Sequence, residues 1–146
     1  MTFTKFRLKR LKLHTQLDNN VAILKLFPGI TKEFVQHTLN TPNLKALIIE
    51  TYGSGNAPTA HWFIDGLKES IEKGLIIYNV TQCKSGSVEM GRYETSLDLN
   101  RIGVLSGHDI TTESAIAKLM YLLGEGYPAE KVKELLQIPI RGEITL

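Results

Sequence analysis

The chain has 146 residues, enough for one domain with a sizeable core, and its 42% hydrophobic and 22% charged residues are ordinary globular values. A net charge of +2 is too small to point to a nucleic-acid partner, and a single cysteine, Cys83, excludes an internal disulfide and fits a reducing compartment. No apolar run approaches the ~20 residues of a membrane span, and the basic N-terminus lacks a signal peptide's apolar stretch, so a cytoplasmic protein, or a piece of one, is expected.

In chain order, residues 1–19 read as a linker or edge segment. Lys5, Arg7, Lys9, Arg10 and Lys12 alternate with Phe6, Leu8, Leu11 and Leu13. That pattern favours a solvated edge over a polyanion-binding arm. Val21 to Leu26 reads as a mostly apolar strand, expected to be covered on both faces. After the Pro28-Gly29 turn, Thr31 caps a helix to about Leu39, with Glu33 in its first turn and Phe34, Val35 and Leu39 at helical spacing. Leu44 to Glu50 is a second strand, followed by Thr51-Tyr52-Gly53-Ser54-Gly55-Asn56-Ala57-Pro58.

Ala60 to Lys73 has Phe63, Leu67 and Ile71 on one helical face, and Gly74 follows as a C-cap. Leu75 to Val80 is a third strand. Thr81 to Asn100 is polar without a strong period and reads as a long loop of functional character. Ile102 to Leu105 is a short fourth strand. Thr111 caps a helix through Leu123, with Ala115, Ile116, Leu119, Met120 and Leu123 as its apolar face, and Pro128 opens a last helix to about Leu136. This alternation predicts an α/β fold: a three-layer α/β/α domain around a small, mainly four-stranded parallel sheet. Ligands in such sheets gather beyond the carboxyl ends of the strands, which puts the glycine turn, residues 81–87 and residues 106–109 on one rim.

The residues alone carry little chemistry. Gly53-Ser54-Gly55 begins a dinucleotide fingerprint, but Pro58 stands where a third glycine is needed, and a tight turn explains the glycines equally well. His14, His37, His61 and His108 are scattered, no zinc spacing exists, and no metal or cofactor is expected. Ser106, His108 and Asp109 are near in sequence, but adjacency is not triad geometry, and helix-start capping and solvent contact are expected of His108-Asp109. Cys83 beside Lys84 is either a thiol of lowered pKa or a small packing residue.

Phe27 to Thr31 (FPGIT), Ala46 to Pro58 (ALIIETYGSGNAP), Ile76 to Tyr93, Gly103 to Gly124 and Arg141 to Thr145 run in an order that resembles the C-terminal domain of cytoplasmic, type I bacterial L-asparaginases. The resemblance covers residues 20–146. It implies an amidohydrolase that converts L-asparagine to L-aspartate and ammonia, with a larger N-terminal catalytic domain carrying a threonine nucleophile. No counterpart of that domain is present in residues 1–19, so no catalytic residue is expected in this chain, and the isolated domain is expected to be inactive. The implied partners are L-asparagine or L-aspartate, the N-terminal asparaginase domain, and further copies in a homo-oligomer, dimer or tetramer. In the family this domain completes the active site of a neighbouring subunit. That role carries over to Asn56 of the turn, with Gly55 allowing close approach of the backbone and Glu94 near the place of a substrate-binding glutamate.

Type I members can also bind asparagine at an effector pocket, which carries over to Cys83, Thr81 and position 50. Regulated relatives have an arginine at that position. Glu50 here would repel the effector's carboxylate, so weak or absent effector binding is expected. The competing readings are a stand-alone α/β small-ligand-binding module, with an anion held at a helix N-terminus, and a purely structural assembly domain.

Overall fold

The computed structural model describes residues 13–89 and 94–145, with 94 and 95 described in backbone only. Four strands, β1 (Val21–Lys25), β2 (Ala46–Thr51), β3 (Ile76–Thr81) and β4 (Leu105–Ser106), form an all-parallel sheet in the order β1-β2-β3-β4. The helices are α1 (Lys32–Leu39), α2 (His61–Glu72), α3 (Glu94–Arg101), α4 (Thr112–Gly124) and α5 (Ala129–Leu136). The predicted basic stretch from Lys5 to Lys12 lies outside the described residues.

Strand order decides the layering. When strands follow one another in sequence, right-handed crossovers all pass over the same face. The crossover helices accordingly share one core: Val35 of α1, Phe63 and Leu67 of α2 and Leu99 of α3 pack with Leu24, Leu47, Ile49 and Ile77. The opposite face carries Ala46, Ile48, Ile76, Tyr78 and Val80, and only helices that follow the last strand remain to cover it. Ala115, Leu119 and Leu122 of α4 and Val132 and Leu136 of α5 do so. An unreversed order also has no topological switch point, so topology alone does not fix one ligand crevice along the rim.

Local chemistry sets the boundaries. Thr31 and Thr111 accept N–H bonds from Phe34 and Ser114, capping α1 and α4. At the end of α2, Gly74 takes φ +100°, its N–H bonds to Ile71 O, and the Leu75 N–H reaches back to Ser70 O. That pair of bonds is a Schellman stop, and it requires glycine in the left-handed region.

The structure corrects several expectations. Part of the predicted long loop is helix α3; among its described side chains Ser96 and Leu99 are buried, so a serine occupies a core-facing position that an apolar pattern search passes over. The fourth strand begins at Leu105 rather than Ile102, because Gly103 turns the chain at φ +97°. Strand β1 is an edge strand and is not covered on both faces: Ile23 is 43% exposed. Phe34 is exposed rather than packed in the core, and its ring meets that of Phe27 edge to face.

The inward face of α4 is also different. Its fully buried residues are Ala115, Lys118, Leu119 and Leu122; Ile116 and Leu123 pack against the same core while half-buried, and Met120 is half-buried. Lys118 is 6% exposed. Its ammonium donates to Ile138 O at 2.6 Å and meets Glu143 Oε1 at 2.7 Å. Glu143 in turn accepts the N–H groups of Ile140 and Arg141. Burial would raise the Glu143 carboxyl, but Lys118 and these N–H donors outweigh it and bring the pKa down to about 2. Tyr78 donates to Leu136 O beneath the same segment, and burial pushes its phenol up. A lysine inside α4 thus fastens residues 136–143 over the second core.

Breaking one side of a buried pair leaves the other charge unpaired, so Lys118→Ala should cost about 3–5 kcal/mol in urea unfolding, and Lys118→Met with Glu143→Leu much less. A depressed carboxyl stabilises above its ordinary value of 4.5 and loses that contribution as pH falls toward about 2. Wild-type stability should therefore drop over this acid range more steeply than that of the double variant.

Candidate functional site

The rim beyond the strands' C-terminal ends is built around the turn after β2. Tyr52 N donates to Asn56 O at 2.9 Å, Asn56 N donates to Tyr52 O at 2.8 Å, and Gly55 N donates to the same oxygen at 3.0 Å. The chain thus folds back on itself within five residues. Gly53 sits at φ +50° and Gly55 at φ +108°, where side chains are disfavoured. A Cβ on Gly55 would lie 2.9 Å from Val88 Cγ1, so the glycine is needed for space as well as for conformation. Asn56 is half-buried at the end of the turn, and Ala57 follows into the core.

Neighbouring loops pin the turn. Thr81 donates from its hydroxyl to Gly53 O, and Glu89 N donates to Ser54 O at 3.0 Å. Val88 N bonds to His108 O at 2.8 Å, which links the loop after β3 to the segment before α4. Gln82 links β2 to the residue just after β1, with its amide nitrogen 2.6 Å from Leu26 O and 2.8 Å from Glu50 O. The turn does not lead directly into a helix N-terminus. Helix α2 starts at His61, with no side-chain cap at Ala60, so a phosphate cradle of the dinucleotide kind is not formed.

Glu50, Thr81 and Cys83 come together at one cavity of about 290 Å³, whose lining also includes Lys25, Gln82 and the start of α4. Glu50 is its electrostatic centre. Its carboxylate accepts from Thr112 Oγ1 at 2.6 Å and from Lys25 Nζ at 3.0 Å. Burial would raise this carboxyl, but the Thr112 hydroxyl and the Lys25 ammonium prevail and hold it below the usual carboxylate range. The Cys83 thiol is exposed, so it is not a packing residue; its backbone N–H bonds to Thr81 Oγ1 at 3.0 Å. The turn residues Gly53 to Asn56 are not part of this cavity's lining.

Glu94 opens α3, and its side chain lies outside the described residues. Ser106, His108 and Asp109 form no triad. Ser106 Oγ lies 3.1 Å from Val88 O and accepts the His108 N–H, while Asp109 accepts Thr145 N at 2.8 Å, a bond that lowers its carboxyl. Asp109 therefore anchors the C-terminal segment instead of capping α4, the role Thr111 takes. Among the described residues no group of His, Cys, Asp and Glu could hold a metal ion, and no helix is long and apolar enough to cross a membrane.

The site residues that sequence reading missed are Thr51, Asn79, Lys25 and Thr112. Asn79 had a usable signal: a single amide in the apolar run Leu75 to Val80 must be satisfied by something once buried.

The glutaminase/asparaginase C-terminal domain family matches residues 20–136. L-asparaginase 1 of Escherichia coli (strain K12) is 37% identical over 133 residues, which are 91% of this chain and 39% of that protein. The 60 kDa lysophospholipase of Homo sapiens is 40% identical over 92% of this chain and 23% of its own length. The crystal structure of L-asparaginase I from Vibrio cholerae superposes with a TM-score of 0.87 at 40% identity, covering 95% of this chain and 42% of that one. The chain thus spans about two fifths, or less, of the relatives it matches.

Gly55→Ala would combine a disfavoured φ with a contact against Val88, so it should lower stability by about 2 kcal/mol or more in a urea titration. Gly53→Ala, which has only the far end of Asn56 within 4 Å, should cost less.

Proposed function

Because the chain belongs to the glutaminase/asparaginase C-terminal domain family, we propose that it serves as the C-terminal domain of an L-asparaginase, hydrolysing L-asparagine to L-aspartate and ammonia together with an N-terminal catalytic domain. The observation that carries this reading is the self-closed turn from Tyr52 to Asn56 at the sheet's C-terminal rim. It fixes the backbone of Asn56, a half-buried amide residue on the rim of the sheet. An amide both donates and accepts, and so can meet the polar groups of an amino-acid substrate held by another domain. In this role the chain supplies Asn56, with Gly55 as the close-approach position and Glu94 as a second contact, to the active site of a neighbouring subunit. The threonine nucleophile comes from the N-terminal domain.

The assembly is a homo-oligomer, dimer or tetramer, in the cytoplasm. Exposed Ile23, Phe27 and Phe34 support a covering surface at the β1 edge, since such apolar side chains are stabilised by burial. A sedimentation run on the chain should show self-association that weakens when Phe27 and Phe34 are replaced by serine.

Glu50 supports the absence of asparagine regulation at the Thr81–Cys83 cavity. Its carboxylate already uses Lys25 and Thr112, and a ligand carboxylate brought beside it would be repelled. The assembled enzyme should follow hyperbolic asparagine kinetics, and sigmoidal kinetics would count against this.

The 146-residue chain alone should release ammonia from asparagine only at the blank rate. Co-expressed with the N-terminal part of the Escherichia coli relative, it should form an active enzyme in which Asn56→Ala lowers kcat/KM by about 10- to 100-fold. Activity from the chain alone, or an active assembly indifferent to Asn56→Ala, would refute the proposal.

A further inference from the structure

The second strand pair holds two fully buried polar side chains, Thr51 and Asn79, in an otherwise apolar part of the sheet. We propose that Asn79, acting with Thr51, is a positioning residue for the turn that carries Asn56; this rests on the reading that Asn56 is the turn's working group.

Burying a polar side chain in a strand is costly unless its partners are supplied. Here Thr51 Oγ1 lies 2.6 Å from Asn79 Oδ1 and 3.2 Å from Val80 O, and its one proton serves the nearer acceptor. With Oδ1 engaged, the other end of the amide is aimed at the turn: Nδ2 lies 3.4 Å from where a Cβ on Gly55 would be. The backbone of Asn79 ties in a further loop, since its carbonyl accepts Gly107 N at 2.7 Å. A Cβ on Gly107 would collide with that same oxygen at 2.7 Å.

Thr51 stands opposite Thr81 in the β2–β3 register, and Ile49 opposite Asn79. With the two-residue alternation of strands, Thr51, Asn79 and Thr81 share the face that bears Ile49 and Ile77. These polar groups therefore form one layer, closing the α1–α2–α3 core and lying directly under the turn, with Thr81 on Gly53 O and Asn79 under Gly55. The chemistry suits an amide. Serine or threonine is too short to accept from Thr51 and still extend to Gly55, and aspartate would bury a charge and offer no donor.

The test is site-resolved amide hydrogen exchange on the 146-residue chain. Thr51→Val with Asn79→Leu removes hydroxyl and amide together at nearly constant volume. Exchange at Gly55 and Asn56, whose N–H groups both bond to Tyr52 O, should rise about tenfold relative to amides inside β2 and β3. Thr51→Ser, which keeps the hydroxyl, should retain the wild-type pattern. If turn and strand amides accelerate together, or neither changes, the pair is merely structural and the proposal fails. Should the double variant not fold, Thr51→Val alone decides by the same split. In the assembled enzyme, an Asn56→Ala variant of full activity would defeat the functional reading while leaving the exchange split intact. The opposite pattern would defeat only the positioning role.

Discussion

Alternation along one strand governs the rim. Glu50 and Thr51 are adjacent, so their side chains leave β2 on opposite faces. Glu50 goes to the α4 face, where Thr112 of α4 and Lys25 of β1 hold it; Thr51 goes to the α2 face, where Asn79 holds it. The turn that begins one residue later is therefore fixed at its root from both sides of the sheet. Thr81 and Glu89 then fasten it further out, at Gly53 and Ser54. All of these ties are made within the chain, so the backbone of the turn is ordered by the fold itself and the cost of ordering it falls on folding.

The same split separates the Glu50 cavity from the polar layer beneath the turn. The Glu50 arm belongs to the face covered by α4, and the start of α4 lines the cavity beside Glu50 and Cys83. The Asn79 layer belongs to the face covered by the crossover helices. A charge change at position 50 would act on the α4 side first and reach the turn through the backbone of Thr51. The family match places the fold and the motif in an asparaginase-type context, while the human lysophospholipase relative shows that this domain occurs within a protein of a different name and much greater length.

Most of the fold was legible because it rests on apolar periodicity and caps. Thr31, Thr111 and Gly74 marked helix ends that the structure bears out, and the three long strands were apolar runs displaced by only a residue or two. What escaped was polar and buried. In α3 the apolar residues Leu97 and Leu99 are two apart, a strand-like spacing, and the helical face is completed by Ser96. In α4 a lysine fills a core position because Glu143, remote in sequence, neutralises it. Pattern reading sees one residue at a time and cannot supply a distant counter-charge. The rim followed the same rule: the glycine turn was visible and Asn79 stood out as a lone amide in an apolar run, but its bond to Thr51 and the Glu50–Thr112 bond cross between elements and left no local trace.

The unreversed strand order has a kinetic side. Val21 faces Ala46, Ala46 faces Ile76, and Tyr78 faces Leu105, so each pairing closes a crossover of similar length. Loop-closure entropy grows only slowly with length, and here no single closure stands out as the expensive one. The sheet can be laid down neighbour by neighbour from either edge, without a strand having to be inserted between two that have already met. Parallel sheets fold slowly because their contacts are distant; this order keeps that distance near the minimum a strand–helix–strand unit permits.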